Sequence, residues 1–406
     1  MKTRYALKGI QVVDFSWIFT GPIATTFLAD HGAEVIKIES ATRPDGTRML
    51  KPFKDGIEGL NRSGIFANYN SGKLSMNLNL HNARGIELAK KLVAKADIVL
   101  ETFRPGVMKK LGLDYEELRK VKPDIIMTSM TMFGQYGPCS QQPAIGQFLQ
   151  ASSGFVHLLG WTDRPPALPA SPYTDYIAPW FVLMALMGAL DFRRRTGKGQ
   201  YIDLAMQEAS MHFLTPEILD YAVNGRVQNR AGNRHPTAAP HGVYPCRGED
   251  RWCAIAAFND EEWQSLCSVL GNPEWAGEQR FASLSGRRQN SEKLDGLIAE
   301  WTINHSPEEV MTMLQDAGVA AGVVETGEDI VDHDPQLKYR KHFVVLDHPE
   351  MGPHLTERPP FNLSKTLSGP QNPAPCFGEH TEYVCRDILG IDDEEFAELV
   401  DAGVLS

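Results

Sequence analysis

The sequence predicts an α/β protein with a large doubly wound domain and a smaller inserted α+β domain. The first hundred residues alternate between short β-rich runs and segments with helical spacing, a pattern typical of βαβ units in parallel sheets. A second group of β-rich runs begins after residue 240, and helical segments follow it. The 406 residues also exceed the roughly 100–200 residues of one domain.

In the large domain, β-rich runs are separated by helical segments or turns. Predicted strands lie at 9–15, 33–39, 74–80, 97–101, 124–130 and 201–204. Predicted helices lie at 23–30, after the capping residue Asn82, and at 177–194 and 206–223. Residues 134–176 are rich in Gly, Pro, Ser and Gln, and they predict a long loop of the kind that carries function.

The smaller domain is predicted to follow a polar linker at 224–240. Its predicted strands lie at 242–246, 252–256 and 320–324, with helices around Trp263 and at 294–301 and 308–317. A strand at 343–346 and a helix at 394–400 are predicted in the tail. The predicted division is therefore 1–224 for the first part of the large domain, 225–327 for the small domain with its linker, and 328–406 for the return.

Composition and motifs exclude several functional classes. Hydrophobic residues make up 42% of the chain and charged residues 22%, values that exclude a disordered chain. The net charge of −11 argues against a nucleic-acid partner, and no apolar run reaches the ~18 residues of a membrane span. The six cysteines form no CxxC pair, so we expect reduced thiols and a cytoplasmic location. Walker A, GxGxxG, HExxH and GxSxG motifs are absent, and no histidine pair has metal-ligand spacing, so no metal is expected.

Loops that follow the predicted strands hold the candidate binding residues. In doubly wound sheets these carboxyl ends are where ligands bind. Aromatic and cationic side chains are concentrated there, and they could bind an anion despite the net charge. The alternative is that the cations are ordinary solvated charges. The residues concerned are Trp17, Phe19, Arg43, Arg48, Lys73, Phe103, Arg104 and Lys110.

Asp175 is the candidate catalytic residue. It stands directly before the predicted apolar helix at 177–194. One interpretation is a helix N-cap, a position that Asp favours. The other is a carboxylate nucleophile that forms covalent acyl intermediates, kept ionised by the helix N-terminus.

Short motifs in a fixed order then suggest a family. They include Leu7–Ile10, Gly21–Pro22, Gly32–Glu39, Ala96–Val99, Phe103–Gly106, Gly134–Pro138, Arg195–Gln200 and Gly378–Thr381. With these motifs the chain resembles, nearly from end to end, the class III CoA-transferases, such as formyl-CoA transferase and carnitine CoA-transferase. The segment Phe15–Trp17 also resembles the benzylsuccinate CoA-transferase branch.

The resemblance implies a Rossmann-like large domain built from both chain ends and a dimer of interlocked chains. It implies that acyl-CoA and a carboxylic acid are the substrates and that Asp175 is the nucleophile. It also implies CoA contacts and substrate contacts. The CoA contacts are Phe19, Arg43, Lys73, Phe103, Arg104 and Lys110, and the substrate contacts are Trp17, Gln147 and Tyr173.

The sequence departs from the family pattern at two places. Ser40 replaces a basic residue that often follows the second strand, so Arg43 is expected to take over that task. Gly146 and Gln147 stand where an acidic residue is common, so either Gln147 does that work or the substrate contact differs. Aromatic residues around the proposed site favour an aromatic or substituted succinate as acceptor over formate or oxalate.

Two alternatives stay open. An α-methylacyl-CoA racemase of the same fold needs two acid/base groups, but Ile145 occupies the place of its histidine, and a single carboxylate favours the transferase. The chain could also be the CoA-binding subunit of a heteromer with a related chain, in which case catalysis would take place on the other chain.

Overall fold

A computed structural model describes residues 5–143 and 145–406, which group into two compact units. The large unit contains the residues up to Val156, Leu168–Arg226 and Gln336–Ser406. The small unit contains His157–Ala167 and Val227–Pro335. The predicted borders at residues 224 and 327 concern domains that fold independently, and they stay a prediction.

The large unit is built on a parallel sheet of six short strands. They are β1 (Gln11–Asp14), β2 (Glu34–Glu39), β3 (Leu74–Asn77), β4 (Ile98–Glu101), β5 (Ile126–Thr131) and β6 (Gln200–Ala205). Their order is β3-β2-β1-β4-β5-β6, and every neighbouring pair is parallel. Because all the strands are parallel, their six carboxyl ends lie along one edge of the sheet. The strand order reverses direction at β1, and a ligand crevice is expected at that point of the edge.

Helices cover both faces of this sheet because successive side chains of each strand point to opposite sides. Val13 and Val99 face one core with Leu88 of α3 (Ala83–Val93). Val12 and Ile98 face the other core with helices α1 (Thr20–Asp30) and α8 (Tyr173–Thr196). The helices of this part of the chain are α1 (Thr20–Asp30), α2 (Gly64–Tyr69), α3 (Ala83–Val93), α4 (Val107–Lys110), α5 (Tyr115–Val121), α6 (Gly146–Ser152), α7 (Phe155–Leu158), α8 (Tyr173–Thr196), α9 (Met206–Met211) and α10 (Thr215–Asn224).

The small unit contains an antiparallel sheet of three strands, β7 (His241–Pro245), β8 (Trp252–Ala256) and β9 (Ala320–Val323), in the order β7-β8-β9. Trp263, Phe281 and Leu294 are fully buried in its core. Ser306 and Glu309 form a reciprocal capping box at the start of the last helix. The helices are α11 (Asp260–Val269), α12 (Leu284–Gln289), α13 (Ser291–Thr302) and α14 (Pro307–Asp316).

The chain then returns to the large unit. The returning segment contains α15 (Pro335–Arg340), an antiparallel hairpin of β10 (Phe343–His348) and β11 (Gly352–Glu357), then α16 (Thr381–Tyr383) and α17 (Asp393–Asp401). Val384 and Leu399 pack in the same core as β1 and β4, so both ends of the chain contribute to the large unit.

The predicted α/β class with a small α+β unit is confirmed, and several elements differ in detail. Six short helices were not predicted, namely α2, α4, α5, α12, α15 and α16. The predicted loop at 134–176 contains α6 and α7, and strand β11 was not predicted. The helix predicted at 206–223 is broken into α9, a 3₁₀ turn and α10, with Pro216 in the first turn of α10. Helix α8 begins at Tyr173, four residues earlier than predicted.

Helix α8 is long and apolar enough to cross a bilayer by length and hydropathy alone, a test that core helices also pass. Its Val182, Leu186 and Ala189 are fully buried in the core on one face of the sheet. In the large unit it therefore serves as the main helix covering β5 and β6.

Candidate active site

A cavity of about 950 Å³ runs along the carboxyl edge of the large unit's sheet. Segments that follow every one of the six strands line it, as the doubly wound topology predicts. A volume of this size lies within the usual range of ligand pockets, roughly 300–1,000 Å³. The lining segments are residues 17–20, 38–43, 78–81, 102–105, 130–133 and Met206, joined by parts of 140–147, Pro172 and Asp175.

Asp175 lies in the first turn of α8 and contributes its carboxylate to the cavity wall. The N-cap position belongs to Pro172, and no side chain caps the helix, so the interpretation of Asp175 as an N-cap is wrong. Only 9% of Asp175 is exposed, and burial raises the pKa of its carboxyl to about 6. The hydroxyl of Thr174, 3.5 Å from Oδ1, pulls the pKa in the opposite direction. At neutral pH most of the population is therefore ionised but poorly solvated.

Gly146 allows the chain to approach this carboxylate closely. A Cβ atom placed on Gly146 would lie 2.9 Å from Oδ2 of Asp175 and 2.5 Å from Cβ of Pro172. Real Cβ contacts are not this short, so only glycine permits helix α6 to begin here. Gln147, the next residue, is exposed and lines the same cavity.

Aromatic rings and cations form another part of the cavity wall. The guanidinium of Arg43 lies 4.8 Å from the ring centre of Trp17, and Phe103 packs edge-on against Trp17 at 5.6 Å. Arg104 also lines the cavity. The indole N–H of Trp17 is buried and has no hydrogen-bond partner among the described residues.

The loop that carries Trp17 is held in a strained conformation by buried charge. Ile18 adopts a φ of 70°, a left-handed conformation that is unfavourable for a β-branched residue. Its backbone N–H donates to Oδ1 of Asp45 at 3.1 Å, and Oδ2 of Asp45 pairs with Lys37 at 2.7 Å. Burial alone would raise the pKa of Asp45, but the Lys37 ammonium and the hydrogen bonds from Thr47 keep it below its ordinary value.

Seven predicted site residues line the cavity: Trp17, Phe19, Arg43, Phe103, Arg104, Gln147 and Asp175. Their individual roles stay predictions. Phe19 is further held by ring contacts with Tyr69 at 5.9 Å and Tyr176 at 6.1 Å.

Three predicted residues lie outside the lining. Lys73 requires a correction, because its side chain is fully buried and its ammonium contacts Asp14 at 3.4 Å and the carbonyl of Pro22 at 3.0 Å. Burial lowers the pKa of Lys73 to about 7, and the pull of Asp14 partly opposes this. Lys110 is exposed at the end of the short helix α4, and Tyr173 is 51% exposed beside the cavity wall.

The sequence interpretation missed the apolar part of the wall. Met132 and Phe133 follow β5, and Met206 follows β6. They carry no polar signal, but the position of β5 and β6 in the predicted sheet would have identified them. Among residues 5–143 and 145–406, no group of three or more His, Cys, Asp or Glu side chains is arranged to hold a metal ion.

Comparisons with known proteins agree on one protein family. Residues 7–381 match the family described as CoA-transferase family III. The chain is 31% identical to succinyl-CoA–D-citramalate CoA-transferase of Chloroflexus aurantiacus, over 97% of this chain and 96% of that protein. It is 34% identical to succinyl-CoA:mesaconate CoA-transferase of Haloarcula marismortui, over 95% and 97%. A crystal structure of a CAIB/BAIF family protein from Brucella suis superposes with a TM-score of 0.87 at 32% identity, over 96% of this chain and 100% of that one.

Proposed function

The chain belongs to CoA-transferase family III and is a CoA-transferase; we propose that it transfers CoA to a carboxylic acid through covalent intermediates on Asp175. The supporting observation is a buried carboxylate, with its pKa raised to about 6, in the wall of a 950 Å³ cavity. A raised pKa makes a carboxylate more nucleophilic, and burial removes the water that would shield it.

The proposed reaction begins with attack of an Asp175 oxygen on the thioester carbonyl carbon of the donor. The carbon–sulfur bond breaks, and CoA departs as the thiolate. The donor acyl group remains bound to Asp175 as a mixed anhydride. The thiolate then attacks the aspartyl carbonyl carbon, so that the donor acid leaves and an aspartyl-CoA thioester forms. The acceptor carboxylate attacks this thioester, and the same steps in reverse release the new acyl-CoA and regenerate Asp175. No proton is gained or lost in the cycle.

The strand order supports this assignment of the cavity. Arg43 follows β2, whereas Asp175 lies in the first turn of α8, which packs on β5 and β6. Three strand spacings separate β2 from β5, roughly 14 Å at about 4.8 Å each. We propose that the anionic and aromatic parts of CoA bind near Arg43, Trp17 and Phe103. The thioester would then extend along the sheet edge towards Asp175.

A racemase is not favoured. Proton transfer at an α-carbon needs a second acid/base group opposite Asp175. Ile145, Gly146 and Pro172 line the cavity close to the carboxylate, and none of them titrates. Residue 144 lies outside the described residues.

We propose a succinate-like dicarboxylic acid, with or without an apolar substituent, as the acceptor. Both relatives named above carry succinyl-CoA and a branched or unsaturated dicarboxylate in their names. Met132, Phe133 and Met206 offer apolar surface in the part of the cavity where α8 packs on β5, β6 and α9. A specifically aromatic acceptor has less support, because Tyr173 and Trp180 do not line the cavity and Trp180 packs on Phe27 at 4.6 Å.

We further propose that the active form is a homodimer. Helix α10 has no buried residue, and Leu219, Tyr221 and Val223 are 54%, 62% and 78% exposed. Met184 of α8 is 63% exposed. Apolar side chains on two helices of one unit favour a protein partner, and a second copy satisfies this without a related chain. The cytoplasmic location stays a prediction.

The covalent step is tested by trapping. Asp175→Asn cannot form the anhydride, so turnover should fall at least about a thousandfold while the fold is retained. Incubation of the unmodified protein with succinyl-CoA and then hydroxylamine should produce a hydroxamate on the peptide containing Asp175, seen by mass spectrometry. Asp191→Asn, at the exposed end of the same helix, is the matched control and should keep activity. A hydroxamate on another peptide would contradict the assignment.

The raised pKa predicts the acid limb of the pH profile. Only ionised Asp175 attacks, so kcat/KM for the acyl-CoA donor should fall about tenfold per pH unit below about 6. Thr174→Val removes the hydrogen bond that lowers this pKa, so the limb should move to higher pH. Thr196→Val is the control, because it removes a hydroxyl that donates a hydrogen bond to the carbonyl oxygen of Phe192 at the far end of α8. This variant should leave the acid limb at the same pH. A limb that is unmoved by Thr174→Val would assign it to another group, such as a substrate phosphate.

The acceptor class is tested with a screen of succinyl-CoA and acetyl-CoA against carboxylic acids, read by mass spectrometry of the acyl-CoA products. Methyl- or methylene-substituted succinates should turn over faster than oxalate or formate, because the smaller acids leave the Met132, Phe133 and Met206 surface uncovered. Benzylsuccinate tests the aromatic acceptor in the same screen. Oxalate as the fastest acceptor would refute the proposal.

Assembly is tested by light scattering of the purified chain alone. A homodimer should scatter as about twice 45.1 kDa at every concentration at which the protein is active. Activity of the single purified chain would also exclude an obligatory related partner. A stable, active 45.1 kDa species would contradict the homodimer.

A further inference from the structure

The small unit has a cavity of its own, with a volume of about 340 Å³. One side is formed by residues 234–241, before and at the start of β7, and the other by residues 285–291, where α12 ends and α13 begins. Arg234, Arg288, His235 and His241 all line it, and none of the described lining residues is acidic. In a protein with a net charge of −11, such a concentration of cations and imidazoles has no role in the transfer described above.

The two histidines form a stacked pair, and within the described residues their Nε2 atoms make no hydrogen bond. Their ring centres are 5.0 Å apart and their planes 24° from parallel. Nδ1 of His235 accepts the backbone N–H of Thr237 at 3.2 Å, so the neutral ring carries its proton on Nε2. Nδ1 of His241 lies 2.6 Å from the carbonyl oxygen of Asn233 and therefore donates to it. In the neutral rings Nε2 is therefore a donor in His235 and an acceptor in His241.

The two arginines differ in how they are held. Arg234 pairs with Asp295 at 2.5 Å, and Asp295 also accepts the hydroxyl of Tyr244 at 2.7 Å. This carboxylate is therefore occupied, and it fixes the position of Arg234. The guanidinium of Arg288 has no hydrogen-bond or ion-pair partner within the described parts of the chain, and its side chain is exposed.

The start of α13 adds further donors. Ser291 begins this twelve-residue helix and lines the cavity. Asn290, at the N-cap, makes no side-chain hydrogen bond to the helix, so the first backbone N–H groups have no cap. The positive end of the α13 dipole has the same sign as the two guanidinium groups, whereas Glu292 in its first turn and the carbonyl end of α12 at Asn290 have the opposite sign. The two arginines are therefore the main source of positive charge at this cavity.

We propose that this cavity is an oxyanion site, which binds a carboxylate or a phosphate group through Arg288, Arg234 and the histidine pair. A guanidinium donates two parallel hydrogen bonds to either group, and the Nε2–H of His235 and the backbone N–H groups at the start of α13 supply the remaining donors. The proposal rests on the small unit alone and does not depend on the transfer reaction.

The test is isothermal titration of the full chain with inorganic phosphate and, separately, with succinate, at constant ionic strength set with sodium chloride. At least one of the two anions should bind saturably, and Arg288→Gln should weaken that binding about tenfold or more. Arg247→Gln is the matched control, since it removes an exposed arginine of the same unit that pairs with Glu309 outside the cavity. Binding of phosphate alone would assign the site to phosphorylated ligands, and binding of succinate alone would assign it to carboxylic acids.

A second measurement locates the binding and does not require a variant to fold. The NMR resonances of the His235 and His241 imidazoles should shift saturably as the same anion is added. The anion concentration at half of the full shift should match the midpoint of the calorimetric titration. The proposal is overturned if neither anion moves these resonances, or if Arg288→Gln and Arg247→Gln weaken binding equally, as simple charge screening would require.

Discussion

Buried ion pairs beneath the carboxyl edge of the sheet are the interaction on which the large cavity depends. Lys37 with Asp45, Arg48 with Glu39 and Lys73 with Asp14 are all fully buried. Each pair joins a strand end or neighbouring loop to another segment, and removing one partner of such a pair typically costs about 3–5 kcal/mol. These ion pairs are therefore a condition for the shape of the cavity wall.

The same ion pairs explain how an acidic protein can hold an anionic substrate. Glu39 lines the cavity, and Asp14 and Asp45 lie within two residues of lining residues in the chain. Their negative charges would repel a phosphate if they were unpaired. Each is instead neutralised by a cation buried with it. Arg43 and Arg104 remain on the wall and face the cavity. The net charge of −11 therefore says little about the local potential along this edge.

The sequence predicted most of the strands and seven of the residues that line the cavity, but it could not distinguish paired cations from free ones. The parallel strands are short β-rich runs bounded by turns, and Asp175 is recognisable because it is an isolated acid before an apolar helix. Lys73 and Arg43 have similar local contexts in loops. Whether such a lysine meets a ligand or Asp14, which lies 59 residues earlier in the chain, depends on how distant segments are arranged in the fold, and local sequence does not specify that. Helix α6 was not predicted because it begins with Gly146, a residue of low helix propensity. The glycine is needed there for the close approach to Asp175.

The reactivity proposed for Asp175 follows from two opposing effects at one position. A helix N-terminus stabilises a carboxylate and would keep its pKa low, whereas burial destabilises the charge and raises its pKa. Burial is the larger effect here, with a resulting pKa of about 6. That value still leaves the group ionised at neutral pH while weakening its solvation. Gly146 makes this environment possible, because any larger residue would force α6 away from the carboxylate and open it to water. The pKa of the Asp175 carboxyl is therefore set by the backbone packed against it as much as by its own helix.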